Sequence, residues 1–394
     1  MSSRVVVSSV AALAIVLVAT AAAGPAQAPA PPTTSGRTAA PVDRNAERAE
    51  ATLASIEQHF STRDGRFHEV FPSTGDAYST LWPLTQTILG MLFVSQLRDR
   101  PLPTDAPDYF EPYWDTTTSP PGYLAAMFES SGSGRKFFDD NAWTGLDLVE
   151  TYRSNGDSAA LTRAVQIFNF TVSGWDDAPT DPDPGGVWWA QQNPNPRFAH
   201  RNTISTASSA ELALRLYEAT GRIDTHYLDW ATRMYTWVDS YLRGSNGLYG
   251  DHVDLAGQVD PGQLTYNQGT MIGAAVLLYR SSGNGEYLAR ARATAETSLD
   301  VFGPDYNQQP AYNAVFFRNL LLLEADTRDG HYRAAMQAYA DTVWDTLHDP
   351  ATGLFNFANG RSRSVEPHRL LDQAAMLQIY ALLALGPDAA DVTI

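Results

Sequence analysis

The 394-residue chain contains no cysteine and a single lysine, Lys136. The lack of cysteine excludes disulfides, thiolate nucleophiles and Cys-ligated metal sites, so stability has to come from burial of an apolar core, for which the chain is long enough. Basic residues are also scarce: 27 Lys and Arg stand against 44 Asp and Glu, a formal net charge of −17. Because contacts with phosphate need clustered Lys and Arg, we expect no nucleic-acid partner.

The N-terminal segment has the order of a secretory signal. A short basic start, Met1 to Arg4, precedes an apolar run from Val5 to about Ala19, and Ala26-Gln27-Ala28 has the form of a cleavage site. This order predicts a signal peptide over residues 1–28 and an exported, secreted protein. The run is also long enough for an uncleaved membrane anchor, which is the alternative. Residues 29–43, rich in Pro, Ala and Thr, are predicted to be a disordered spacer.

Residues 44–394 are predicted to form one catalytic domain, because no long linker interrupts them, and helical periodicity dominates. A helix ending, a Gly-containing turn and a new helix recur at 152–157, 217–222 and 279–284, with a degenerate copy at 324–332. The first three copies lie about 60–65 residues apart, so one repeat is a pair of helices with a long loop. Roughly six repeats fit this length, which predicts an all-α fold of six helical hairpins closed into an (α/α)6 barrel. An open solenoid is the alternative. The first hairpin is predicted over about Arg44–Phe60 and Leu81–Leu97.

Two consecutive carboxylates, Asp139 and Asp140, stand at the predicted start of a helix. Apolar residues then recur with the spacing of a buried helix face, at Ala142, Leu146, Val149 and Tyr152. A retaining glycosidase uses one acid as nucleophile and one as acid/base, with carboxyl groups roughly 5 Å apart, and adjacent residues can reach that separation. Free helix N–H groups keep one acid ionised, while repulsion and partial burial raise the pKa of the other. The pair therefore predicts one carboxylate for attack and one carboxylic acid for proton donation.

Helix capping is the alternative explanation for this pair, since Asp is a favoured N-cap and acids are favoured in the first turn. Capping needs only one carboxylate, however. It also gives no reason for Phe137, Phe138 and Trp143 to crowd both acids. We therefore interpret Asp139 and Asp140 as the catalytic pair.

Two other acidic stretches are weaker candidates. The pair Asp176-Asp177 is followed by Ala178-Pro179 rather than by a helix, which predicts a solvated turn. Asp251, next to His252, lies in a predicted loop or short strand and has no metal-ligand spacing around it. Likewise, no loop has the ligand spacing of a calcium site, so neither a metal nor a cofactor is predicted.

Segments with aromatic and amide side chains supply candidate binding residues. Residues 171–201 leave the helical periodicity, and long ordered loops of this kind are usually functional. The helix predicted from Thr265 begins with Tyr266, Asn267 and Gln268, which suit sugar hydroxyls but also fit an ordinary polar first turn. Arg318 is either a helix-surface charge or a partner for one of the acids.

These motifs together resemble glycoside hydrolase family 76, the endo-α-1,6-mannanases. The resemblance rests on Phe-Asp-Asp-Asn-Ala-Trp at 138–143, Gly-Gly-Val-Trp-Trp at 185–189 with Asn202, Thr-Tyr-Asn-Gln-Gly at 265–269 and Phe-Phe-Arg at 316–318, all in the family's order. It extends from Arg44 to Leu385. The residues that flank Asp251 depart from the family's pattern, as do Arg201 and Thr206.

The resemblance implies an (α/α)6 barrel that hydrolyses internal α-1,6-mannosidic linkages of mannan with retention of configuration. By their matching positions, Asp139 is expected to be the nucleophile and Asp140 the acid/base. The expected substrate-binding residues are Asn141, Trp143, Trp188, Trp189, Asn202, Asp251, Tyr266, Asn267, Gln268 and Arg318. The expected partner is α-1,6-linked mannan or a mannooligosaccharide, and we expect a monomer.

Three other functions compete with hydrolysis. A cell-envelope mannan transglycosidase would pass the glycosyl group to a sugar instead of water. A non-catalytic mannan-binding protein would not need the acid pair. A sugar isomerase or epimerase on the same type of barrel is disfavoured by the export signal and by the scarcity of His near the candidate site.

Overall fold

The computed structural model describes residues 43–386 except 74, 76, 99–108, 128–133, 192–197 and 359–365. The predicted signal peptide, residues 1–28, lies outside the described residues, as does the predicted spacer apart from Asp43. In the described part no helix combines the length and the hydropathy needed to cross a bilayer.

Eleven helices account for most of the described residues: α1 (Arg44–Phe60), α2 (Leu81–Leu97), α3 (Phe138–Asn155), α4 (Ser158–Ser173), α5 (Thr203–Ala219), α6 (Thr225–Tyr241), α7 (Thr265–Ser282), α8 (Gly285–Phe302), α9 (Pro310–Thr327), α10 (His331–Leu347) and α11 (Leu370–Leu385). Helices α2, α3, α5, α7, α9 and α11 each contact the next in this order, and α11 contacts α2, so the six close into a ring. The other five pack outside this ring. The predicted (α/α)6 barrel is confirmed, and α1 and α2 have the predicted bounds.

Burial separates the two layers of helices. The inner helices are buried on nearly all sides, as every residue from Leu370 to Leu383 in α11 is, whereas the outer helices bury one stripe and leave a polar face to solvent. A helix that is apolar all round has to be enclosed by others. Inner helices also approach closely: a Cβ on Gly269 of α7 would lie 2.6 Å from the Cα of Phe316 in α9. Glycine is therefore required at this crossing.

The recurring turns join inner helices to outer ones. Gly156, Gly221, Gly283 and Gly330 all have positive φ, between 71° and 79°, a conformation that glycine adopts without strain. The predicted turn pattern is thus confirmed at all four places. Because each of these short turns reverses the chain from an inner helix to an outer one, α3, α5, α7 and α9 run parallel, with their N-termini at the opposite rim.

Short antiparallel strands lie in the loops of that rim. Strand β1 (Val70–Phe71) pairs with β7 (His368–Arg369), and β2 (Trp114–Asp115) pairs with β3 (Gly122–Tyr123). A three-stranded sheet has the order β4 (His200–Asn202), β5 (His252–Asp254) and β6 (Val259–Asp260). These strands bring segments that are far apart in sequence to the mouth of the barrel.

Candidate active site

The two candidate catalytic residues lie in the first turn of α3, at the rim where the inner helices begin. Phe137 occupies the N-cap position, and no side chain caps this helix. Asp139 and Asp140 are both half-buried. Neither acid occupies the N-cap position, so N-capping does not account for the pair.

The surroundings of the two carboxyl groups differ. Burial raises the pKa of Asp139 to about 7, and the charge of Asp251 adds to this, while the backbone N–H groups of 139 and 140 and the indole of Trp189 act against it. The Trp189 Nε1–H donates to Asp139 Oδ2 over 3.2 Å. Burial, followed by the charges of Asp139 and Glu69, raises the pKa of Asp140 well above its ordinary value. Asp139 therefore holds a negative charge more readily than Asp140, which keeps a proton.

Trp189 is held in place on both sides. Its carbonyl accepts from Phe138 N at 3.0 Å, and its N–H donates to the carbonyl of His200 at 3.0 Å. Its ring packs against Phe137, Phe198 and His200 with centroids 5.0–5.2 Å apart. The loop thus connects the start of α3 to β4 and fixes the indole that donates to Asp139.

Asp251 is anchored across the mouth of the barrel. His252 Nδ1 lies 2.8 Å from its Oδ2, and Asn267 Nδ2 donates to its Oδ1 over 3.3 Å. Its carbonyl accepts from Thr203 N at 2.8 Å. Asp251 also raises the pKa of Asp139 and, after burial and Tyr312, that of Tyr266. The structure therefore brings Asp251, Asn267 and Tyr266 to the acid pair, although their contacts with a sugar stay a prediction.

An aromatic wall, consisting of Trp82, Tyr312 and Tyr266, lines the same mouth. Tyr266 stacks on Tyr312 with centroids 4.1 Å apart, and Tyr312 stacks on Trp82 at 5.8 Å. Trp82 and Tyr266 also pack against the small apolar cluster that contains Trp143. Trp143 itself is only 2% exposed, so it supports the wall from within. Flat rings of this kind stack on the apolar faces of sugars.

Two predicted substrate-binding amides have another role. Asn141 accepts from Tyr123 N at 2.7 Å and donates to the carbonyls of Tyr123 and Phe137. Gln268 accepts from Tyr249 N at 2.8 Å and donates to the Tyr249 carbonyl at 2.8 Å. Both side chains are fully buried. Both therefore attach loop backbone to the inner helices, and their contact with a sugar stays a prediction.

Arg318 also lies away from the acid pair. It is 5% exposed, and its guanidinium lies 5.3 Å from the centre of the Trp143 ring. The charges that act on it, after burial, are those of Glu211 and Asp147. Burial raises the pKa of Glu211 to about 8 and that of Asp147 well above its usual range. Arg318 is therefore neither a helix-surface charge nor a partner of a catalytic acid: it belongs to a cluster of buried ionisable side chains inside the barrel.

The remaining predicted positions frame the site. Asn202 caps α5, because its Oδ1 accepts from Ser205 N at 3.1 Å, and the ring of Trp188 packs against the guanidinium of Arg201 at 5.3 Å. Arg201 is fully buried and forms an ion pair with Asp176 at 2.6 Å. The interpretation of Asp176 as part of a solvated turn was therefore wrong.

Sequence reasoning missed several residues near the acids. Glu69 accepts from Thr80 N at 2.6 Å, just before α2, and acts on Asp140. His200 and His252, with ring centroids 4.1 Å apart, lie beside Trp189 and Asp251, so the expected scarcity of His near the site was wrong. The Asp251-His252 dipeptide was the available signal for the second of these. Within the described residues no group of three or more His, Cys, Asp or Glu could hold a metal ion.

A family model and the sequences of known proteins both match this chain. The model described as glycosyl hydrolase family 76 matches residues 116–356, more than half of the chain. The mannan endo-1,6-alpha-mannosidase DCW1 of Saccharomyces cerevisiae is 27% identical over 215 residues, 48% of this chain and 47% of that protein. The protein of the same name from Candida glabrata is 31% identical over 171 residues, 42% and 33% of the two chains. The chain thus spans half or less of the length of these curated relatives.

Solved structures share the fold. A family 76 α-mannanase from Bacteroides thetaiotaomicron has a TM-score of 0.75 at 21% identity, covering 87% of this chain and 96% of that one. The α-1,6-mannanase GH76A of Salegentibacter sp. HEL1_6 has a TM-score of 0.70 at 21% identity, covering 86% and 99%. Because the family model matches more than half of the chain, the chain belongs to glycosyl hydrolase family 76.

Proposed function

We propose that this protein is an exported, retaining glycoside hydrolase that cleaves internal α-1,6-mannosidic linkages of mannan or of mannan-containing envelope glycans. The observation that carries the proposal is the unequal pair in the first turn of α3. Asp139 receives a hydrogen bond from Trp189, whereas Asp140 lies beside the charges of Asp139 and Glu69. The names of the relatives support the substrate, as does a solved inactive variant of the Salegentibacter enzyme, with two consecutive aspartates replaced, in complex with α-1,6-mannotriose.

The two acids divide the chemistry between them. Asp139 attacks the anomeric carbon while Asp140 gives its proton to the departing glycosidic oxygen, so one C–O bond forms as another breaks. A covalent mannosyl-enzyme results. Asp140, now ionised, removes a proton from water, which attacks the anomeric carbon and releases Asp139. Two inversions give net retention, and Asp140 regains the proton for the next cycle.

Leaving-group dependence separates the two roles. We expect Asp139→Ala to lose turnover of every substrate, since no bond to the sugar can form. Asp140→Ala should still be mannosylated by an aryl mannoside whose leaving group needs no proton, and added azide should restore release by replacing activated water. Asp177→Asn, an exposed carboxylate of the other aspartate pair, is the matched control and should behave like wild type. Equal losses of Asp139→Ala and Asp140→Ala on all substrates, without azide rescue, would contradict this assignment.

Linkage and products test the substrate. Purified protein should shorten linear α-1,6-mannan into oligosaccharides, with the retained anomer detected first by NMR, and leave α-1,2- and α-1,3-linked chains intact. Mass spectrometry with a mannose acceptor present distinguishes hydrolysis from transglycosylation: hydrolysis predicts free reducing ends, and acceptor-linked products would show that the chain is a transglycosidase instead.

Export is proposed from the order of residues 1–28. Cleavage after Ala28 would release the barrel with its Pro/Ala/Thr-rich segment, and we expect the mature protein to be a monomer. Mass spectrometry of the secreted protein should find an N-terminus at Pro29. A full-length chain in the membrane fraction would contradict cleavage and support an anchor.

A further inference from the structure

His252 has the geometry of a charge-bearing partner of Asp251. Its Nδ1 lies 2.8 Å from Asp251 Oδ2. Since a carboxylate oxygen only accepts, Nδ1 carries the proton, which fixes the tautomer of the neutral ring. Nε2 has no hydrogen-bond partner within the described residues, and the side chain is 23% exposed. A second proton can therefore add at Nε2 without disturbing the bond to Asp251.

His252 is also connected to the acid pair by a row of contacts. Strand β5 places it opposite Asn202 of β4, and its ring lies 4.1 Å from that of His200. The His200 ring packs on Trp189 at 5.2 Å, and Trp189 donates to Asp139. The row thus begins at Asp251, whose charge raises the pKa of Asp139, and ends at Asp139 itself.

Three carboxylates near His252 favour its charged form. Asp251 and Asp254 lie on its own segment, Asp260 is its partner on β6, and His200 lies against it from β4. The hydrogen bond to Asp251 raises the pKa of His252, burial lowers it, and the three carboxylates raise it further. The imidazolium is therefore populated at mildly acidic pH, next to Asp251, whose charge opposes ionisation of Asp139.

We propose that His252 is a positioning residue for the acid pair: it holds Asp251 in the mouth of the barrel, and its positive charge offsets that of Asp251, so that a larger fraction of Asp139 is ionised at mildly acidic pH. The inference rests on the proposed function, in which Asp139 has to be ionised to attack. It concerns a residue in the segment where this chain departs from the family's pattern.

The pH dependence of kcat/KM on α-1,6-mannotetraose tests the proposal. His252→Asn can still donate to Asp251 but carries no charge, so the acidic limb should move to higher pH by roughly half a unit to one unit. That shift corresponds to about a 3- to 10-fold loss of kcat/KM on the acidic limb, while wild-type values should return at high pH, where His252 is neutral. His252→Lys keeps a positive charge and should leave the limb near its wild-type position. His226→Asn, an exposed histidine on α6, is the matched control.

A loss of the same size at every pH would show a purely structural role and overturn the proposal, as would an unchanged profile. The coupling to Asp251 has a readout that needs no activity: NMR titration of the His252 ring should give a lower pKa in Asp251→Asn than in wild type. An unaltered pKa would also overturn the proposal. If the wild-type protein fails to cleave mannan, the proposed function fails, yet the titration still decides whether His252 and Asp251 act as a pair.

Discussion

Replacement of Trp189 by Phe tests the unequal roles of the two acids most directly. The indole Nε1 donates to Asp139 over 3.2 Å, and the other carboxylate oxygen, Oδ1, is buried and has no hydrogen-bond partner among the described residues. Phenylalanine keeps an aromatic ring against Phe137 and His200 but cannot donate. A hydrogen bond to a charged group contributes about 1.5–3 kcal/mol. At 1.4 kcal/mol for each factor of ten, kcat/KM should fall by about 10- to 150-fold.

The pH profile should change in a defined direction. Without the indole N–H, the ionised form of Asp139 loses a stabilising contact, so its pKa rises above about 7 and the acidic limb of kcat/KM moves to higher pH. The assay is the initial rate of α-1,6-mannotetraose cleavage across a pH series, together with a thermal melt to establish that the barrel is folded. Trp230→Phe is the matched control, because Trp230 lies on the outer helix α6 and packs against Trp175 instead. A Trp189→Phe profile that matches wild type, or a loss of the same size in Trp230→Phe, would refute the reasoning.

Glu69→Gln removes a negative charge that raises the pKa of Asp140. The pKa of Asp140 should therefore fall, and the basic limb of kcat/KM should move to lower pH by roughly half a unit to one unit. An unmoved limb would show that Glu69 acts only on the start of α2. Gln268→Ala leaves the buried N–H and carbonyl of Tyr249 without partners, at a cost of about 1–3 kcal/mol in unfolding free energy by denaturant titration. The KM of its folded fraction should match wild type, and a raised KM would support a substrate-binding role. Glu211, whose folded pKa of about 8 lies above its unfolded value, contributes stability that is complete below the unfolded pKa and is lost as pH rises through 8. The melting temperature should therefore fall as the pH rises from 5 to 8, and it should fall less in Glu211→Gln than in wild type. An equal fall in the two proteins would contradict this.

The barrel could be predicted because its signals are local. Gly156, Gly221 and Gly283 punctuate the repeat at about the same interval, and each adopts the positive φ that a helix-ending turn requires. Apolar residues on all sides of the inner helices require enclosure, which six repeats provide by closing a ring. The start of α3, and with it the position of the acid pair, follows from the same periodicity.

The amide side chains could not be assigned from sequence. Asn141 and Gln268 stand in the first turns of inner helices, where a sugar-binding amide would also stand. Which of the two roles applies depends on whether loop backbone reaches the amide. The backbone of Tyr123 reaches Asn141, and that of Tyr249 reaches Gln268. Asn267, one residue before Gln268, faces Asp251 instead. On a helix, one step along the chain turns a side chain by about 100°, enough to move it from a loop to the cleft.

The sequence by itself determined the helices, their turns, the repeat that places six inner helices in a ring and the location of the two aspartates, because each of these depends on spacing within a few turns of chain. Only the tertiary structure decided which groups surround the acids. Glu69, Trp189 and Asp251 reach Asp139 and Asp140 from three separate loops, and His200 meets His252 through a strand pairing. The charge state of a carboxyl group depends on burial and on such neighbours, so the division of labour between two identical side chains arises from the fold.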